Sequence, residues 1–398
     1  MDQPASNATV APAGLNRRHA VRFIVFLGVV SLFGDMTYEG ARSITGPYLA
    51  MLGASATIVG VVSGFGELIG YAARLGSGWL SDRTGRYWAV TIFGYVLNLF
   101  AVPLLALTDQ WEMAAALIVA ERMGRAIRSP ARDAMLSHAA SHTGLGWGFG
   151  LHEALDQTGA ILGPLIVSAV LYFDGGYQVG FGILVVPALC AMTVLIAARL
   201  QFPRPRDFDL APPALEGQGL PRSFWIYLAA VAFLAAGFAD FPLIAYHFGK
   251  AETVPTVWIP ALYALAMAAD AVAALVLGRL YDRIGLRTMI LATLLSALVA
   301  PLVFLGGFAA AAVGMVFWGI GMGAQESIMR AAIARMAPAE RRGTAYGIFN
   351  ALYGVAWFAG SALLGVLYDR SLAAIVVASV ALQLLALPVL LWLVRSRE

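Results

Sequence analysis

Gly78-Trp79-Leu80-Ser81-Asp82-Arg83-Thr84-Gly85-Arg86 recurs as Gly278-Arg279-Leu280-Tyr281-Asp282-Arg283-Ile284-Gly285-Leu286, matching Gly, Leu, Asp, Arg and Gly at a constant offset. Each copy follows a long apolar run, the second such run of its half of the chain. Phe33-Gly34-Asp35 is echoed in the same way by Phe238-Ala239-Asp240, which sets an aspartate inside the first apolar run of each half. Self-similarity on this scale is the mark of a duplicated unit.

Outward from these turns the sequence is overwhelmingly apolar: 60% hydrophobic and 12% charged residues in 398, with a mean hydropathy of +0.77. Soluble domains carry about 25% charge, so a water-soluble fold is excluded. A hydrocarbon core about 30 Å thick takes roughly 20 apolar residues per helix, because only helices or closed barrels satisfy the backbone there. Barrel strands would alternate over about ten residues, and these runs are longer and continuous. The spacing predicts spans at 21–49, 55–80, 88–107, 112–134, 146–172 and 176–200, then at 223–248, 255–279, 288–306, 308–334, 343–368 and 372–394. The expected fold is an all-α integral membrane protein of twelve transmembrane helices in two pseudo-symmetric six-helix bundles. Residues 1–20 form an N-terminal tail, 21–200 the first bundle, 201–222 a linker rich in Pro, Asp and Arg, 223–394 the second bundle and 395–398 a C-terminal tail.

Positive charge sets the orientation, since cytoplasmic loops carry the excess of Lys and Arg. With the N-terminus inside, Arg17, Arg18, Arg83, Arg86, Arg128 and Arg132 fall in cytoplasmic segments, as do Arg222, Arg283, Arg287, Arg335 and Arg395. The opposite loops hold only Lys250 and Arg370. Both termini are therefore expected in the cytoplasm and the chain in a bacterial inner membrane. The net charge of +3 is split among separate loops, which argues against nucleic-acid binding. The first apolar stretch is too long for a signal-peptide core. Cys190 is the single cysteine, so internal disulfides and thiolate metal clusters are excluded.

The G-x-L-x-D-R-x-G-R turn resembles the loop signature of the major facilitator superfamily, and the 6+6 organisation extends that resemblance over nearly the whole chain. The resemblance implies a secondary transporter, working as a monomer, in which Gly78, Asp82, Arg83, Gly85 and Arg86, with Gly278, Asp282, Arg283 and Gly285, latch the halves in an outward-open state. Physically, the glycines permit close approach and unusual dihedrals, and an aspartate is favoured at a neighbouring helix N-terminus. Gly159-Ala160-Ile161-Leu162-Gly163-Pro164 is similar to the glycine-proline motif of the proton-coupled antiporter branch, departing from it at Leu165 and Ile166. Small residues at Gly159 and Gly163 let helix backbones pack closely and Pro164 removes a hydrogen bond, so the segment is either a hinge or a tight seam.

Charges inside a bilayer cost about 2.5–3.5 kcal/mol each on insertion scales, so they face a cavity or a partner. Asp35, Tyr38, Glu39 and Arg42 fall at i, i+3, i+4 and i+7 of the first span, on one helix face. In the fifth span His152 and Glu153 pair in spacing with Asp156, and two close carboxylates titrate as a pair. Arg122 and Arg125 of the fourth span stand opposite these acids if the first, fourth and fifth helices line the cavity, as the resemblance implies. Asp270, Glu326 and Arg330 read as a structural pairing, and His247 as a surface or interface residue.

The function expected is secondary active transport of a small molecule by alternating access, with H+ as coupling ion and export by antiport; no cofactor is called for, and no phosphate-cradling G-x-x-x-x-G-K-[ST] loop is present. One alternative is divalent-metal export, since Ser31 to Met36 resembles the start of ferroportin-type exporters and Asp35, Glu39, Asp240 and His247 offer ligands. From another class, a membrane-embedded enzyme or a non-transporting receptor lacks its sign: there is no nucleophile elbow, and the linker is too short for a signalling domain.

Overall fold

The computed structural model describes residues 17–140, 143, 145–203, 220–337 and 342–396. Most of the N-terminal tail, most of the linker and the last two residues therefore lie outside the described residues. The first half comprises α1 (Arg17–Met51), α2 (Ala56–Thr84), α3 (Tyr87–Leu104), α4 (Trp111–Ala140), α5 (Leu145–Tyr172) and the pair α6 (Gly176–Ile183) and α7 (Val185–Gln201). The second comprises α8 (Arg222–Gly237) and α9 (Phe241–Lys250), α10 (Trp258–Ile284), α11 (Arg287–Ala297) and α12 (Val299–Leu305), α13 (Phe308–Met336), α14 (Arg342–Arg370) and α15 (Leu372–Arg395). Counting α6–α7, α8–α9 and α11–α12 each as one crossing, the described chain makes twelve crossings and has no strand. An even number returns both ends of the described chain to the same face. That face is called the near end below, and the opposite one the far end.

Eleven crossings are long and apolar enough to span a bilayer. The exception is α4, whose 30 residues carry Glu121, Arg122, Arg125, Arg128, Arg132 and Asp133 within the helix. This corrects the loop expectation for Arg128 and Arg132: both are helical, and Arg128 is only 1% exposed. Four arginines at spacings of three and four form one stripe, which only a neighbour-lined interior can accept in a membrane.

The seventh crossing is broken where continuity was expected. Phe238 and Asp240 adopt extended backbone (ψ 116° and 146°), and Asp240 restarts the helix as N-cap, its Oδ1 accepting from the Phe241 N–H at 2.8 Å. Asp240 thus stands at a helix start, whereas its counterpart Asp35 lies within the unbroken α1. A break at membrane depth survives only if the freed carbonyls find donors. Here Trp318 Nε1 donates to the Ala239 carbonyl at 2.9 Å, and Ser379 Oγ donates to that of Gly237 at 2.6 Å.

Gly159 and Gly163 pack as a seam in this structure. A Cβ on Gly159 would meet the Leu32 carbonyl oxygen of α1, and one on Gly163 that of Met36, while α5 runs uninterrupted through Pro164. The second half repeats the seam: Gly360 of α14 lies against the Ala236 backbone of α8. Without a hydrophobic drive between helices in lipid, such backbone approach supplies the packing.

Candidate functional site

The two halves meet through α1 with α9, α2 with α14 and α5 with α10. Their tightest approaches are at the far end. A Cβ on Gly46 would strike the Pro242 carbonyl, and one on Gly60 that of Ser361. Ser168 Oγ donates to the Val257 carbonyl at 2.7 Å. Asp369, at the end of α14, caps α2 from the other half, accepting from the N–H groups of Ala56 at 3.2 Å and Thr57 at 2.8 Å, and from Thr57 Oγ1 at 2.7 Å. A carboxylate on a helix N-terminus is favoured by the exposed N–H groups and the dipole. Asp369→Ala is expected to loosen the far end by about 1 kcal/mol, read as a longer-distance population between spin labels at Leu107 and Leu305 in a Cys190→Ala background.

Toward the near end no glycine of one half lies against the backbone of the other among the described residues. Glycines Gly76, Gly150, Gly278 and Gly347 have nothing within 4 Å of a would-be Cβ. Between the halves lies a cavity of about 190 Å³, deepest at Glu39, Arg42 and Trp357 and reaching Arg74, Glu153 and Arg330 toward the near end. Its floor is a network across the halves. Tyr263 of α10 donates to Glu39 Oε2 at 2.5 Å, and Arg42 donates to Asp240 at 2.7 Å while lying 3.9 Å from Glu39.

Asp35 is 5% exposed and faces Arg128 at 3.9 Å. The Arg128 guanidinium lies over the rings of Tyr95 (4.2 Å) and Tyr38 (5.8 Å), with its Nε and Nη1 unbonded. Asp156 of α5 lines the same cavity as Asp35. Behind it, His152 Nδ1 is 3.9 Å from Asp156, His152 Nε2 is 3.1 Å from Ser31 Oγ, and Arg132 donates to that hydroxyl at 3.0 Å. The site residues expected on α1 and α5 therefore converge, except that His152 is buried behind the cavity wall and Glu153 lies on it.

The arginines of α4 are distributed differently from the expectation. Arg122 and Arg125 both pair with Glu67 of α2, Arg125 at 3.3 Å, rather than with the α5 acids. Arg122 also lies 3.5 Å from Glu121, which accepts from Asn98 Nδ2 at 2.7 Å, and it stands off the central cavity. Arg125 lines the cavity and covers the Tyr38 ring at 4.7 Å. Glu67 and Arg128 are two of the residues that sequence reasoning left out of the site; the unbroken i, i+3 and i+4 run of α4 arginines was the signal for Arg128.

Asp270, Glu326 and Arg330 also depart from the expectation. They line the cavity, and among the described residues none of the three has an opposite charge within 4 Å. His247 is 1% exposed, with Nδ1 2.9 Å from the Tyr368 hydroxyl, which corrects its reading as a surface residue. The proposed metal ligands do not gather: Asp240 is held by Arg42, Glu39 by Tyr263, Asp35 faces Arg128, and no described group of three ligand side chains could hold an ion.

In the repeated turns, Gly85 ends α2 in the left-handed region (φ 65°), its N–H donating to the Ser81 carbonyl at 2.8 Å, and Gly285 ends α10 at φ 59°. Arg83 covers the Trp79 ring at 5.0 Å, and Asp282 pairs with Arg335 of its own half at 3.0 Å. The side chain of Asp82 lies outside the described residues.

A duplicated six-crossing bundle with a charged cavity between its halves matches the sequence profile of the Major Facilitator Superfamily over residues 25–361 and 226–398. The chain belongs to the major facilitator superfamily. It is 44% identical over 375 residues to an uncharacterized protein of Mycobacterium tuberculosis, covering 92% of each chain. It is 25% identical over 367 residues to an uncharacterized MFS-type transporter of Methanocaldococcus jannaschii, covering 89% of this chain and 91% of that protein. Among solved structures it resembles a bacterial homolog of the human lysosomal transporter Spinster in an inward-facing, unoccupied conformation (TM-score 0.73, 12% identity, 96% and 98% of the two chains). It also resembles a POT family transporter (TM-score 0.73, 15% identity, 93% and 95%). As a major facilitator the chain is a multi-pass membrane transporter for a small molecule, with a fold that points to transport rather than catalysis.

Proposed function

We propose that this facilitator exports a small organic molecule in exchange for protons by alternating access, as a monomer in a bacterial inner membrane with both termini in the cytoplasm. The observation that carries the reading is the cavity between the halves, sealed at the far end by backbone contacts and open toward the near end. With the near end cytoplasmic, this is an inward-facing state. Rocking of the halves about the cavity floor would part the Gly46 and Gly60 contacts and bring the repeated turns together. Gly78 and Gly278 would then serve close approach, and Asp282 and Arg335, exposed in this state, would be free to exchange partners across the halves.

Proton exchange is assigned to Asp35, which faces the Arg128 guanidinium at 3.9 Å, and to Asp156 of α5, which lines the same cavity and lies 3.9 Å from His152 Nδ1. Arginine stays charged, so one of the two carboxylates must remain ionised beside it while the other takes the proton. The pair thus titrates as a unit, and a single proton can be loaded without stranding a buried cation. Asp35→Asn is expected to fold, to bind substrate and to lose coupling. Proteoliposomes holding a pH-sensitive dye, screened for compound-driven proton flux, check this; equal flux in wild type and Asp35→Asn for every active compound would remove Asp35 from the coupling role.

A further inference from the structure

The charges of the cavity do not cancel evenly. Glu67, Glu39 and Asp35 each face an arginine within 4 Å. Glu153 and Asp156 of α5, Asp270 of α10 and Glu326 of α13 have no arginine or lysine that close among the described residues. Against these four stand two cavity arginines without a carboxylate within 4 Å, Arg74 and Arg330, and Arg74 lies over the Tyr71 ring at 5.2 Å. Glu153, Asp270 and Glu326 line this one cavity although they come from different halves.

A second observation concerns acceptors. Asp270 is 98% buried by its 2% exposure, lines the cavity, and its Oδ1 has no hydrogen-bond partner. Asp156 Oδ1 and Gln157 Oε1, buried on the facing helix α5 and lining the same cavity, are likewise unbonded. These three unbonded acceptors, two of them carboxylate oxygens, line the cavity from α5 and α10. An ammonium group brings three donors and a positive charge, which answers both the vacancies and the excess of negative charge. Beside them the rings of Phe349, Tyr353 and Trp357 follow one another along α14 at centroid spacings of 5.6 Å and 5.5 Å. Aromatic faces take both an apolar body and a neighbouring cation.

We infer that Asp270, flanked in the same cavity by Glu326 and Glu153, binds the ammonium or amidinium group of an organic cation, whose apolar body rests on the α14 aromatic wall. The inference rests on the cavity being the transport site, and it names the substrate class. Because the carboxylates come from both halves, a cation between them engages α5 together with α10 and α13. A bare divalent metal is disfavoured, since no described cluster of three ligands converges.

The test uses the full chain in lipid nanodiscs and isothermal titration with tryptamine, phenethylamine and benzamidine. Indole-3-propionate and 3-phenylpropionate serve as aromatic carboxylates of comparable size, and Mn2+ as the metal probe. At least one of the three cations should bind while both carboxylates and Mn2+ do not. Asp270→Asn and Glu326→Gln should each weaken that binding by about 10-fold or more, the scale of one charged hydrogen bond. Glu326 lies exposed on the cavity wall, so its variant tests the site even if Asp270→Asn fails to fold. Binding of a carboxylate or Mn2+ in preference, no binding by any of the three cations, or cation binding indifferent to Glu326→Gln would overturn the inference. An amine that binds and is never moved across a proteoliposome membrane would instead overturn the transport reading, and leave the binding site standing.

Discussion

The double variant Asp35→Asn, Asp156→Asn is expected to lose folded protein, where each single variant remains folded. Arg128 is 1% exposed, has two of its nitrogens unbonded, and among the described residues Asp35 is its one carboxylate within 4 Å. When Asp35 alone is neutralised, Asp156, which lines the same cavity, still supplies a negative charge to the region. When both are neutralised, the buried cation is stranded, and arginine has no escape by deprotonation. Leaving one member of a buried ion pair unpaired costs about 3–5 kcal/mol. Adding Arg128→Met to the double variant removes the stranded charge and should restore much of that loss. The thermal unfolding midpoint in detergent, measured for the two singles, the double and the triple, reads this directly. A double variant as stable as the singles would show that Arg128 is balanced by something other than these two acids.

Gly46→Val is expected to drive the protein out of the far-end-closed state. The new Cβ would meet the Pro242 carbonyl oxygen and the Tyr246 nitrogen, both of them backbone atoms of α9 that have no rotamer to change. Overpacking of this kind costs about 1–3 kcal/mol, which corresponds to roughly 5- to 150-fold in a two-state equilibrium. The cost falls only on the state in which α1 and α9 touch, so the chain should stay folded while transport collapses. Spin labels at the lipid-exposed Leu107 and Leu305, placed on opposite halves at the far end, should show the longer distance dominating. Gly76→Val, where a Cβ meets open space in this state, should leave that distance unchanged. If Gly46→Val keeps the wild-type distance distribution, the two helices do not separate during the cycle.

The twelve crossings and the duplicated turns follow from hydropathy and repetition, because a bilayer demands long apolar helices and a duplicated gene leaves matched positions. The face shared by Asp35, Tyr38, Glu39 and Arg42 was equally legible, since helical spacing is a local property. The break at Phe238–Asp240 was not. Nothing in Phe-Ala-Asp forbids a helix, and its counterpart Phe33-Gly34-Asp35 is continuous; the break is held by Trp318, Ser379 and Gln383 from distant helices. Partner choice was likewise hidden. Arg122 and Arg125 chose Glu67 over the α5 acids, and Arg128 was read as an orientation signal because a charge count cannot tell a loop from a buried stripe.

By itself the sequence determined that the chain lives in a membrane, crosses it as two related six-helix units, and carries its charges on α1, α4 and α5 of the first. Those are statements about composition, period and repetition, which each segment satisfies alone. Only the tertiary structure decided which charges cancel, where the seventh crossing breaks, which end is sealed, and that the second half adds Asp270 and Glu326 to the cavity. Charge balance and closure depend on distances between segments far apart in the chain, and those distances exist only once the glycine seams have brought the backbones together.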